Sequence, residues 1–161
     1  MGHVETVKAS LRFSSPQQTR AFGAKLASLL RPGDFVGLQG DLGAGKTLLV
    51  RSIAEGAGVP SEQIASPTFA IVHPYTGGRI PLHHADLYRI ADYDELYATG
   101  FLDLVGAGSA MLVEWIDNVP DAAPREWLRI DLRHAGLRTR EMDLTGYGAR
   151  GAALVAALTA A

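Results

Sequence analysis

The sequence predicts an α/β fold, and three features of it lead there. Short apolar runs of strand character alternate with stretches of helical periodicity along most of the chain. One such run, "FVGLQ", passes directly into a glycine-rich loop and then a helix. Two alternating stretches near the end, "WLRIDLRH" and "REMDLTGY", read as a hairpin. At 161 residues the chain is long enough for one domain with a sizeable core and short for two, so a single domain spanning 1–161 is expected.

Taken in order, "VKASLRF" (7–13) alternates as a strand. "SSPQQTRAFGAKLASLL" (14–30) opens with a helix-start signature: Ser15 as N-cap, Pro16 at the first helical position and Gln18 completing a capping box. Phe22, Leu26, Leu29 and Leu30 follow at helical spacing, and "RPGD" ends the helix. After the strand "FVGLQ" (35–39), "KTLLVRSIAEGA" (46–57) is helical, with Gly58 as its C′ residue and Pro60 beyond. "SPTFAIVHPY" (66–75) is a turn running into a strand, "TGGR" a hairpin signal and "IPLHHADLY" (80–88) the returning strand. "DYDELYATGFLDLV" (92–105) is helical and broken at Gly100, and "SAMLVEW" (109–115) is the clearest central strand. A proline-containing loop, "DNVPDAAP", precedes the hairpin, and "ARGAALVAAL" (149–158) closes the chain as a helix.

Composition narrows the function. Fifteen basic residues against 17 acidic give a net charge of −2, which argues against a broad surface for gripping phosphate backbones. Any nucleic acid is expected to be handled through a partner. With no cysteine, disulfides and thiolate metal sites are excluded. No apolar run approaches the length of a membrane span, and the first residues, "MGHVETVKASLRF", lack the apolar core of a secretory signal. A cytoplasmic location is the expectation.

The loop Gly40-Asp41-Leu42-Gly43-Ala44-Gly45-Lys46-Thr47 fits G-x-x-x-x-G-K-[ST], the P-loop. Its glycines permit positive φ, so that successive N–H groups converge on a phosphate, and the following helix aims its positive dipole at the same anion. Lys46 supplies a point charge for the β- and γ-phosphates, and Thr47 a hydroxyl for Mg²⁺. The required strand precedes the motif and the required helix follows it. The loop is therefore expected to bind a nucleoside triphosphate.

Such a loop needs an acid near the metal at the end of a neighbouring strand. Asp86 ends "IPLHHAD" and Glu114 ends "AMLVE". Glu114 lies on the more continuous apolar run, while Pro81 and two histidines interrupt the run before Asp86. Either carboxylate could instead cap the turn that follows it.

At these residues the chain resembles the bacterial TsaE (YjeE) family. The matching text is "GDLGAGKT" at 40–47, "SPTF" at 66–69, "HADLYR" at 84–89 and "LVEW" at 112–115, in the family's order and spacing. The resemblance runs from about Ser14 to about Gly146. It implies a P-loop NTPase-like α/β fold, a mostly parallel sheet with antiparallel edge strands, flanked by helices. It also implies an ATPase using Mg²⁺ with ATP. Its partners would be TsaB and TsaD, the latter transferring a threonylcarbamoyl group to A37 of tRNAs that read ANN codons. ATP hydrolysis would reset the TsaB–TsaD pair between turnovers, with tRNA met only through that complex. Carried over by position, Thr47 and Glu114 would be the Mg²⁺-side residues and Asp86 the Walker-B-like acid. Thr68 would lie on a switch-like segment facing the γ-phosphate, and Trp115 beside the site. The family often has a second threonine after "GKT"; here position 48 is Leu, which alters local polarity.

Other groups attract weaker readings. His83 and His84 are consecutive on a strand, point to opposite faces and cannot readily share one ion; His84 is better viewed as a neighbour of Asp86. Arg89 is either a surface charge or a contact to phosphate or partner. Arg138 and Arg140 read as alternating on one strand, on a solvated edge, with a contact to the base or a partner as the alternative. Asp92, Asp94 and Glu95 start a helix. Ser14, Ser15 and Thr19 lie where the family's N-terminal segment approaches the nucleotide. Two rival functions use the same loop: a small-molecule kinase, for which no Arg-rich lid insertion follows the loop, and a non-catalytic nucleotide-gated binding module.

Overall fold

The computed structural model describes residues 5–41, 43–65 and 71–160. Leu42 and Thr68, with the rest of "SPTF", lie outside the described residues. The expected α/β architecture is present as a seven-stranded sheet flanked by helices. In chain order the elements are β1 (Thr6–Phe13), α1 (Pro16–Leu29), β2 (Phe35–Gln39), α2 (Lys46–Gly56), α3 (Ser61–Ala65), β3 (Val72–Tyr75) and β4 (Leu82–Asp86). Then follow α4 (Tyr93–Tyr97), β5 (Ala110–Glu114), β6 (Trp127–His134), β7 (Arg140–Tyr147) and α5 (Gly148–Thr159).

The sheet order is β1-β7-β6-β2-β5-β4-β3. The central strands β6, β2, β5 and β4 pair in parallel, while β7 and β1 on one side and β3 on the other pair antiparallel. Leu30 ends α1, and Ser15 caps its start by accepting from Gln18 N at 3.3 Å. The Gln18 side chain reaches Ser14 N at 2.6 Å rather than the N–H of Ser15, a capping box displaced by one residue. The end of α2 is a Schellman motif: Gly58 N donates to Glu55 O and Val59 N to Ala54 O, each at 3.0 Å.

Two apolar clusters lie on the two faces of the sheet. Helices α1, α2 and α5 cover one face, packing Leu26, Leu49, Ile53 and Leu154 on Val36, Leu38, Leu112 and Ile130. On the other face Phe35, Met111 and Val113 meet Leu96, Phe101 and Ile116. Every residue of β5 is buried, as expected for a strand covered on both sides. Over β6 and β7 the second face carries ion pairs instead, including Arg133 with Glu141 and Asp143 and Arg129 with Asp117 and Asp131.

Three readings from the sequence need correction. Helix α3 was not foreseen, because five residues are too few to show a period. The stretch 92–105 is two pieces, α4 and a 3-10 turn Phe101–Leu104, separated at Gly100 as its break suggested. Arg138 lies in the turn between β6 and β7 rather than on a strand, and β7 is not an edge, because β1 returns to pair with its whole length. Among the described residues no helix is long and apolar enough to cross a membrane.

Candidate active site

The site forms where the parallel strands end. β2 delivers the chain into the loop at Gly40, and α2 carries it away from Lys46. Gly43 has φ +80° and Gly45 φ +110°, backbone that an L side chain rarely adopts. Gly45 is the N-cap of α2 and no side chain caps this helix. The first intrahelical bond of α2 is Leu49 N to Gly45 O at 3.0 Å, so the N–H groups of Lys46, Thr47 and Leu48 precede the i→i−4 ladder. Gly40 matters for space: a Cβ there would stand 2.5 Å from the carbonyl of Leu132.

Lys46 is the best-buried charge of the loop, only 5% exposed. Its ammonium donates to the carbonyls of Gly40 and Asp41, the latter at 3.0 Å, and lies 4.2 Å from the centre of the Trp115 ring. Burial pushes its pKa below the ordinary lysine value, opposed by the negative charges of Glu114, Asp41 and Asp86. Thr47 is exposed on the first turn of α2, beside that ammonium in sequence.

The carboxylates converge from two strands. Asp86 and Glu114 are register partners at the ends of β4 and β5. Asp86 is exposed, and its Oδ1 accepts from Tyr88 N at 3.0 Å. Glu114 is buried, and its Oε2 lies 2.5 Å from His84 Nε2. Trp115, the next residue, is held at φ +60° and is the one non-glycine residue with positive φ among those described. That conformation costs about 1–3 kcal/mol and recurs at functional sites. It turns the indole back over Lys46, with Tyr88 packed beside it at 5.0 Å between ring centres.

The two histidines part as strand geometry requires. His83 faces Ser109 Oγ at 2.7 Å, and burial lowers its pKa. His84, expected as a neighbour of Asp86, faces Glu114, a contact the sequence reading did not include. The shared parity of His84 and Asp86 was the available signal; the cross-strand neighbour was not. The acidic cluster at 92–95 does start a helix: Asp92 accepts from Glu95 N at 2.9 Å, and Glu95 from Ala91 N at 3.1 Å. Arg89 is exposed.

Beside the loop opens a cleft of about 510 Å³, lined in part by Ser15, Thr19, Gly45, Leu48, Arg138 and Met142. Arg140 also lines it and donates to Thr139 O at 3.1 Å. The site thus joins an amide-rich turn, a buried cation, two strand-end carboxylates and an adjoining groove with an apolar wall.

The family model described as threonylcarbamoyl adenosine biosynthesis protein TsaE matches residues 13–142. The chain belongs to the TsaE family. A relative from Bacillus subtilis (strain 168), named tRNA threonylcarbamoyladenosine biosynthesis protein TsaE, is 37% identical over 139 residues, 86% of each chain. A Streptomyces coelicolor protein of the same name is 41% identical over 138 residues, 81% of this chain and 92% of its own. The crystal structure of Bacillus subtilis YdiB superposes with a TM-score of 0.80 at 32% identity, covering 99% of this chain and 97% of that one. The family resemblance read from four short motifs therefore extends through the fold.

Proposed function

We propose that this chain is an accessory ATPase of tRNA N6-threonylcarbamoyladenosine formation, binding ATP with Mg²⁺ and acting with TsaB and TsaD to support their turnover. The biosynthetic role follows from family membership. The nucleotide chemistry rests on one observation: Lys46 is buried between the uncapped start of α2 and the two carboxylates that end β4 and β5.

The donor set suits a magnesium–triphosphate. Among the described residues no group of three or more His, Cys, Asp or Glu side chains could hold a metal alone. Mg²⁺ is characteristically held by one or two carboxylates and fills its shell with water and phosphate oxygens. Thr47 with Glu114 and Asp86 would supply the protein's share. When bound, the ion neutralises charge on the β- and γ-phosphates.

The chain's own residues would do the rest. The N–H groups at the start of α2 bind phosphate oxygens, and Lys46 exchanges its carbonyl partners for them. Glu114 or Asp86 orients the attacking water in line with the bond to the γ-phosphate. The cleft bounded by Leu48 and Met142 receives the base. Phosphoryl transfer depends on positioning and charge stabilisation, so the protein alone is expected to be slow and its partners to accelerate it.

The test is a titration of the protein with a fluorescent ATP analogue and Mg²⁺, followed by hydrolysis assays with and without TsaB–TsaD. Saturable binding that Lys46→Ala weakens, with hydrolysis raised by the partners, is the expected result. Binding indifferent to Lys46→Ala, or full hydrolysis that ignores the partners, overturns the proposal. Phosphate transfer to a small hydroxylated acceptor without partners would identify a kinase instead.

A further inference from the structure

A line of side chains runs sideways from the site across three strands. Glu114 on β5 meets His84 on β4, and His84 Nδ1 lies 3.3 Å from the hydroxyl of Tyr75 on edge strand β3. The Tyr75 and His84 rings stack at 6.0 Å with an interplanar angle of 29°. His73 packs edge-on against Tyr75 at 5.0 Å. Tyr75 is 5% exposed, and the side chains of His84 and Glu114 are 20% and 8% exposed. The assembly is therefore largely buried.

Hydrogen-bond chemistry gives the line a direction. An ionised carboxylate only accepts, so His84 Nε2 must carry the proton shared with Glu114. In the neutral ring Nδ1 is then an acceptor, and the Tyr75 hydroxyl donates to it. Burial, and next the charge of Glu114, push the Tyr75 phenol up, which keeps that O–H in place. Among the described residues His84 is the one hydrogen-bond partner of the Glu114 carboxylate, and it ties back Oε2.

We propose that His84 is a positioning residue: its Nε2–H fixes one oxygen of Glu114 so that the other faces the phosphate-binding loop, and Tyr75 selects the tautomer that can do so. The inference rests on the nucleotide-binding reading for its catalytic consequence, but its hydrogen-bond pattern stands without it. Outer partners of this kind typically cost about ten- to a hundredfold in metal affinity or activity when removed.

Three measurements decide it. Imidazole ¹⁵N NMR of the protein without nucleotide, with His84 assigned by its loss in His84→Gln, should show the Nε2–H tautomer at neutral pH. An Nδ1–H ring, which offers Glu114 no N–H, overturns the proposal. In steady-state hydrolysis His84→Leu should lower kcat about tenfold or more with KM for MgATP nearly unchanged, and His84→Gln, which still offers an N–H at similar reach, should recover most of it. The Mg²⁺ concentration giving half-maximal binding of a fluorescent ATP analogue should rise in His84→Leu and stay low in His84→Gln. If His84→Leu lowers only the melting temperature, or if the glutamine variant fails as fully as the leucine one while folded, His84 merely packs and the proposal is wrong. Failure of the wild-type protein to bind the analogue would defeat the nucleotide reading, and the catalytic consequence with it; the tautomer measurement reports on the hydrogen-bond line independently.

Discussion

Asp86 and Glu114 stand side by side as register partners at the carboxyl ends of adjacent parallel strands. Neighbouring like charges repel, and Lys46, held protonated in part by both, supplies a compensating cation from within the chain. Their settings differ. The exposed Asp86 holds the backbone turn at Tyr88, whereas the buried Glu114 has one oxygen tied to His84.

That difference gives a paired expectation. Glu114→Gln should reduce ATP turnover by about a hundredfold even at saturating Mg²⁺, the scale of losing a positioned general base, while nucleotide binding persists at a raised Mg²⁺ requirement. Asp86→Asn should chiefly raise the Mg²⁺ concentration needed for half-maximal rate. Steady-state assays across a Mg²⁺ series separate the two effects. A wild-type rate and Mg²⁺ dependence in either variant removes that carboxylate from the reaction.

Lys46 makes function and stability pull apart. Its folded pKa lies below the ordinary 10.5 because burial outweighs the surrounding carboxylates. The folded protein therefore loses this proton before the unfolded chain does. The penalty is fully present below the folded pKa and shrinks as pH rises through it toward 10.5. Lys46→Met should thus be at least as stable as the parent at neutral pH, with its advantage declining in that alkaline window. The same substitution should weaken ATP-analogue binding about ten- to a hundredfold, the scale of a lost charge-assisted hydrogen bond. Thermal unfolding at several pH values checks the first expectation and a fluorescence titration the second; a variant less stable than the parent at pH 7 refutes the burial argument.

What the sequence revealed of this site was its local part. The P-loop is legible because glycine freedom, helix dipole and lysine lie within eight consecutive residues, "GDLGAGKT". The two acids were legible as strand ends, but their side-by-side placement depends on the register of β4 on β5, which no local pattern carries. The contact of His84 with Glu114 escaped for the same reason: the two lie thirty residues apart on neighbouring strands. Arg140 opens β7 while Arg138 stays in the turn, and the edge was misjudged because β1, at the other end of the chain, pairs along β7. Helix α1 and the end of α2 were legible from caps and periodicity, which are short-range.

Away from the site, Asp34 and Arg150 join the end of α1 to α5. Asp34 accepts from Arg150 Nε at 2.9 Å and from Arg31 N at 2.8 Å, and Arg150 also donates to Leu29 O at 2.6 Å. The Asp34 side chain is 6% exposed. Breaking a buried pair strands the surviving charge, so Asp34→Ala should destabilise the fold by about 3 kcal/mol in urea unfolding. Combining it with Arg150→Met should restore a substantial part of that loss. Simple addition of the two single effects would show that the ion pair contributes nothing of its own.

Where β7 runs into α5, sheet and helix meet backbone on backbone. A Cβ at Gly146 on β7 would stand 2.2 Å from the carbonyl oxygen of Gly151 and 2.8 Å from Ala152 N in α5. An overpacked side chain usually costs about 1–3 kcal/mol because neighbours rotate aside. Here the obstacle is main chain within a helix that also packs on β1 and β6, so relief requires moving α5 as a body. Gly146→Ala should therefore destabilise by about 3 kcal/mol or more. Gly136→Ala serves as the control, since a Cβ there would meet nothing nearer than 3.6 Å. Chemical unfolding of both variants gives the comparison; equal midpoints would mean that α5 yields to the added methyl group, and that its seating on β7 is looser than the contact distances indicate.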